Sequence, residues 1–321
     1  MDFLRNWIPY KLNYDSDVWN VEWLDLNKHL IKEPFFDETI NACRFKMLNR
    51  SRYNSSSTLE FLTERASSMD SLEPTAFIFH VSRCGSTLLS QLLGTDDYNI
   101  VIAEAPIIDE VLMAASLDNR LSENQIEEWF KAVLKMLGQK RTGNEKHFFI
   151  KLDSWHIHHY EQLRKWFPNT PFYFLSRAPH AVINSHIKKR GIHSIPGMVS
   201  AKLLKVELNE FHHQNFNFYT SEVLKHYYQA LLEIAKEEYP LNSFFDYSWG
   251  IDIVAINFFK AVGLGNRNDA LMLGRLNFHS KYPDQVFAEE KSSIKADAYP
   301  EATEVYQDLL AFISIKINPT D

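Results

Sequence analysis

The sequence predicts an α/β protein: a mostly parallel sheet of about five strands with helices on both faces. Two observations carry this. From residue 75 onward, apolar runs of strand length recur: "TAFIFHV" (75–81), "NIVIAE" (99–104), "HFFIKLD" (147–153), "PFYFLSR" (171–177) and "SFFDYS" (243–248). Between several of them lie segments with helical periodicity. Strands that are apolar throughout, rather than alternating, suit a parallel sheet buried on both faces, and the intervening helices supply the crossovers.

Each helix has its own signal. Ser122 and Gln125 frame a capping box that opens a helix over 122–137. Apolar residues at i, i+3 and i+4 predict helices over 221–238 and 251–264. Residues 1–70 differ. They carry scattered aromatics (Trp7, Trp19, Trp23, Phe35, Phe36) and weak periodicity, which predicts a helical or irregular extension. The polar stretches "NSSST" (54–58) and "SSMDSLEP" (67–74) place a boundary near residue 70, leaving 71–321 as the main α/β domain. There is no internal repeat.

The bulk numbers limit the partners. With a net charge of −7, the 321-residue chain has no general affinity for nucleic acid or an anionic membrane. Any anion site must be local, built from a few placed cations. The two cysteines, Cys43 and Cys84, are far apart and in no metal-ligand spacing, which fits a reducing compartment. No apolar run has signal-peptide or membrane-span length, so a cytoplasmic location is expected.

"HVSRCGSTLLSQLL" (80–93) follows the first strand. The triphosphate-binding loop reads G-x-x-x-x-G-K-[ST]. Here Gly85 keeps its place, while Ser86 takes the lysine position and His80 that of the first glycine. A strand, a tight glycine turn and a helix start would aim the N–H groups of residues 84–88, including Leu88, at one anion. Ser86 and Thr87 add hydroxyls, and Arg83 adds a charge that can bind two oxygens. Without the lysine, the loop suits one phosphate on a sugar 5′ position, with no metal. The same residues also read as a plain packing turn. A second strand-turn-helix, "FYFLSRAPHAVINSHIKKRG" (172–191), ends its strand at Arg177. Ser185 lies two turns into the following helix, and an arginine with a serine suits a phosphate monoester.

Together the two segments resemble the sulfotransferase family, whose donor is 3′-phosphoadenosine 5′-phosphosulfate. The 5′-phosphosulfate signature, [KR]-x-G-[ST]-T, reads Arg83-Cys84-Gly85-Ser86-Thr87 here. The 3′-phosphate signature, R-x-P-x-x-x-x-x-S, is met by Arg177, Pro179 and Ser185. Lys151-Leu152-Asp153 resembles the family's strand-end lysine motif, and Tyr247 the tyrosine near the adenine. "SKYPDQVFAEEK" (280–291) stands where members place a C-terminal donor-binding segment. The likeness covers about 75–265 and is nearest to a bacterial-type branch. It implies a P-loop-like fold and a metal-independent transfer of a sulfuryl group from that donor to an acceptor hydroxyl, or secondarily an amine. The acceptor would be a small molecule, a glycan or a peptide.

Such a transfer needs cations on the sulfuryl oxygens and a base for the acceptor proton. Arg83 and Lys151 are the candidate cations; a lysine inside "FFIKLD" is rare unless paired or functional. Where one branch of the family has a histidine base, this chain has Asp153. Glu104, ending "IVIAE", matches the glutamate base of other branches and is the expected base, with Asp153 as orienter or substitute. Trp155, His156 and His180 are candidate pocket residues or structural ones, and Cys84 is a small filler. Two alternatives stand beside this: a kinase-like phosphotransferase with Asp153 on magnesium, and a non-catalytic nucleotide-binding module.

Overall fold

A computed structural model describes residues 4–265, 274 and 294–317. Among them no helix is long and apolar enough to cross a membrane. The chain divides into two compact units, one of residues 1–77 and 90–152, the other of residues 78–89 and 153–321.

In the first unit, β1 (Trp7–Asp15), β2 (Val18–Asp25) and β3 (Ser55–Ser57) form an antiparallel sheet in that order. The sequence pattern predicts a helical or irregular segment over 1–70. Instead the structure has this sheet, with helices Phe36–Leu48 and Leu59–Ser67. The reason is local. A bulge between Pro9 and Lys11 breaks the alternation of β1 that would have signalled a strand. The hairpin turns on Ser16 and Asp17, both at positive φ (51° and 64°), rather than on an Asn-Gly pair. The all-serine β3 reads as a turn, yet it pairs with Val21–Trp23, and Trp23 Nε1 donates to Ser57 Oγ at 2.8 Å.

The strands predicted from 75 onward are all present: β4 (Ala76–His80), β5 (Asn99–Ala103), β6 (His147–Lys151), β7 (Phe172–Ser176) and β8 (Asn242–Asp246). They form a five-stranded parallel sheet flanked by helices, ordered β5-β6-β4-β7-β8. In the first unit, Ile102 pairs with Ile150 across β5 and β6. The helix Glu123–Leu137 opens on the Ser122–Gln125 capping box. In the second unit, Phe174 pairs with Phe244 across β7 and β8, with their rings stacked at 4.7 Å. Phe79 stacks on Phe174 at 4.8 Å.

Helix limits differ from the pattern. The helix over 221–238 begins earlier, at Phe216, because the Asn215 side chain caps it through the Phe218 N–H at 3.0 Å. The helix over 251–264 closes at Ala261, where Gly263 takes the left-handed conformation that ends helices. Residues 280–291, expected to hold a donor-binding segment, lie outside the described residues.

Candidate functional site

Among the described residues of the second unit, the loop after β4 has the densest run of left-handed backbone. Ser82, Arg83 and Gly85 have φ of 71°, 51° and 86°. For the two residues with a Cβ this costs about 1–2 kcal/mol each, so surrounding bonds must impose it. The Ser82 N–H donates to His80 Nδ1 at 3.0 Å, and Ser82 Oγ lies 3.2 Å from His186 Nε2. The Arg83 carbonyl accepts from Arg177 Nη1 at 2.8 Å, and the Arg83 guanidinium donates to the Lys189 carbonyl. Left-handed residues interspersed in such a turn swing successive N–H groups to one side and make a cradle for an anion.

The helix Ser86–Leu93 starts where the cradle ends. The first N–H groups of a helix have no intrahelical acceptor, and the dipole there favours negative charge. Ser86 is 3% exposed, and its hydroxyl has no hydrogen-bond partner among the described residues. Thr87 is half-buried, while Cys84 and Leu88 are buried, so their side chains pack. Gly85 is required twice over. Its φ is left-handed, and a Cβ would stand 2.8 Å from Ile251 Cδ1 and 3.1 Å from the Tyr247 ring.

Tyr247 and Arg177 meet at this loop. The Arg177 guanidinium lies 4.3 Å from the Tyr247 ring centroid, and the Arg177 carbonyl accepts from Tyr228 Oη at 2.6 Å. Asp246, fully buried at the end of β8, accepts from Ser176 Oγ (2.6 Å), Tyr306 Oη (3.0 Å) and the Ser248 N–H (2.9 Å). That fixes the turn carrying Tyr247. Ser185 sits two turns into the helix Pro179–Lys188, half-buried, and its hydroxyl has no partner among the described residues. His180, in the first turn of that helix, has its pKa lowered by burial and then by the Arg177 charge.

Asp153, Trp155 and His156 are joined by local bonds in this unit. The His156 ring accepts the Asp153 N–H at 3.2 Å, and the His156 N–H donates back to the Asp153 carbonyl at 3.1 Å. His156 is fully buried and Trp155 is 6% exposed, their rings 5.8 Å apart. They anchor a short 3-10 helix, Ser154–His159.

Lys151 and Glu104 form a cluster of their own in the first unit. Lys151 ends β6 at 1% exposure, and its ammonium is ion-paired to the Glu104 carboxylate. Glu104 follows β5 at a φ of 57°, and its N–H donates to the Lys151 carbonyl at 2.8 Å. The pairing noted in sequence as the structural option for this lysine is therefore present. Two neighbours come from the N-terminal segment, which has no motif to announce them. Phe35 places its ring 5.3 Å from Lys151 Nζ, and the Asp37 carboxyl is pushed up by loss of hydration and then by the Glu104 charge.

Sequence reasoning also missed Ser82, His186 and Tyr228, which hold the loop. The available signal was adjacency: Ser82 precedes Arg83 and His186 follows Ser185.

No family model and no curated protein matches the chain. Among solved structures it is similar to a sulfotransferase domain from the curacin biosynthetic pathway, at 15% identity over 72% of this chain and 83% of that one (TM-score 0.41). It is similar also to the sulfotransferase STF9 from Mycobacterium avium, at 13% identity over 82% of this chain and 81% of that one (TM-score 0.48). A third is a sulfotransferase from Alicyclobacillus acidocaldarius, at 10% identity over 77% of this chain and 96% of that one (TM-score 0.40). At these identities and scores the likeness assigns no activity to the chain.

Proposed function

We propose that the chain is a sulfotransferase using 3′-phosphoadenosine 5′-phosphosulfate, with an acceptor hydroxyl or, second, an amine. The observation that carries this is the Ser86 hydroxyl, without a protein partner among the described residues, on a largely buried residue at the head of a helix behind a strained loop. A hydroxyl left so keeps its donor and acceptor capacity available to a ligand.

In this proposal the N–H groups of residues 84–88, with Ser86 and Thr87, bind the 5′-phosphosulfate. Arg83 joins by exchanging its bond to the Lys189 carbonyl for one to the donor. Arg177 and Ser185 take the 3′-phosphate, and Tyr247 borders the adenosine. The acceptor oxygen attacks sulfur in line, a new O–S bond forms, and the S–O bond to the 5′-phosphate breaks. The electron pair leaves on the phosphate oxygen, where loop N–H groups stabilise it. Glu104, ion-paired to Lys151, is assigned the acceptor proton, with Asp153 as orienter or substitute and Lys151 offsetting the charge. The transfer is written without a metal.

Calorimetry with adenosine 3′,5′-bisphosphate and with adenosine 5′-monophosphate tests the donor assignment. The bisphosphate should bind about 10–100-fold tighter, the worth of one or two charge-assisted hydrogen bonds. Ser185→Ala should narrow that gap and leave the monophosphate unchanged. Equal affinity for the two nucleotides would sink the 3′-phosphate site.

A further inference from the structure

We propose that Ser82 is a further ligand for the anion held by this loop, and that His186 is its positioning residue. The inference deepens the function proposed above and rests on the loop holding the donor's 5′-phosphosulfate. Neither residue belongs to the two signatures that brought the loop to notice.

The chain of hydrogen bonds fixes the direction of each proton. His186 is fully buried, and its Nδ1 accepts the Gly191 N–H at 3.2 Å. A ring nitrogen that accepts carries no proton, so the neutral imidazole holds its hydrogen on Nε2. Nε2 lies 3.2 Å from Ser82 Oγ and must therefore donate to it. The Ser82 hydroxyl, used as acceptor there, keeps its own hydrogen to give away. No acceptor for it exists among the described residues. Ser82 is 9% exposed and locked at a φ of 71°, with its N–H committed to His80. A second histidine thus stops the loop from turning that hydroxyl aside.

Gly191 gives independent support. Its φ of −83° and ψ of 158° suit any residue. Yet a Cβ there would meet the His193 ring at 2.9 Å and the His186 ring at 3.3 Å. The glycine serves the close approach of its N–H to the imidazole, not a backbone requirement. His193 packs edge-on against His186, with centroids 4.9 Å apart, and holds the ring plane.

The relay predicts a pattern that packing alone would not give. Ser82→Ala and His186→Leu should each weaken binding of adenosine 3′,5′-bisphosphate by about 10–100-fold, the range for a hydrogen bond to a charged group. His186→Gln, whose amide nitrogen can replace Nε2, should stay within about threefold of the wild type, while His186→Asn, too short to reach, should behave like leucine. The Ser82→Ala, His186→Leu double variant should bind no worse than Ser82→Ala alone, since the two act through one bond. Additive losses, or His186→Leu binding as wild type, would overturn the relay. If His186→Leu does not fold, Ser82→Ala decides: a folded variant with wild-type affinity also overturns it. Pyrophosphate, titrated in parallel, separates the two proposals. Should the wild type bind pyrophosphate with this pattern but not the nucleotide, the donor assignment fails and the relay stands. With the pattern absent for both probes, the relay fails too.

Discussion

Lys151 has almost no contact with water, and its ammonium is ion-paired to Glu104. Removing one partner of a buried pair leaves the other charge uncompensated, which costs about 3–5 kcal/mol, whereas replacing both with apolar residues is often neutral. Glu104→Ala should therefore destabilise the protein by that amount in urea unfolding. Glu104→Gln, which keeps an acceptor for the ammonium, should cost less, and a Glu104→Leu, Lys151→Met double variant should recover much of the loss. Wild-type stability for Glu104→Ala would show that the pair is not coupled. Binding of adenosine 3′,5′-bisphosphate should stay within about twofold in folded Glu104→Gln, because Glu104 is assigned to the acceptor proton and not to the donor. A large loss would move Glu104 into the donor site.

At the scale of elements, the helix Pro106–Leu112 meets β1 through one carboxylate. Glu110 accepts the Leu12 N–H at 2.6 Å, and burial raises its pKa to about 7. The folded state thus binds a proton that the unfolded chain releases near its ordinary value of 4.5. Between pH 4.5 and 7 the folded chain holds more protons, so this group's contribution to stability falls as pH rises and levels off above 7. The difference is on the order of 3 kcal/mol at 1.36 kcal/mol per unit. Unfolding free energies of wild type and Glu110→Gln, compared across pH 4–8, should diverge over that window. Parallel curves would refute the buried carboxyl. Legibility also divides by element. The strands from Ala76 to Asp246 were readable because each is a short, wholly apolar run, and the Ser122 capping box because its two residues act locally. The β1–β2 hairpin was not, since a bulge and a Ser-Asp turn erase the period-two pattern and the turn signal together.

Across the whole molecule, a net charge of −7 means that anion binding must come from placed groups and not from the overall field. The two signatures named several such groups, and the structure brings Arg83, Gly85, Arg177 and Tyr247 together at one loop. It gives no bond between Ser185 and Arg177, which leaves the serine's part to the nucleotide comparison. The supporting residues were illegible for a physical reason. Ser82, His186 and Gly191 act through contacts spanning up to 104 positions, and Phe35 approaches Lys151 from a segment without motifs. The central claim is a loop for one 5′-phosphosulfate and not for a metal-bound triphosphate. Thermal unfolding of the full chain with adenosine 3′,5′-bisphosphate, and separately with ATP and magnesium, tests it most directly. At a hundredfold excess over Kd the bisphosphate should raise Tm by about 3–5 °C, while ATP with magnesium leaves it unchanged. Stabilisation by ATP with magnesium alone would contradict the account.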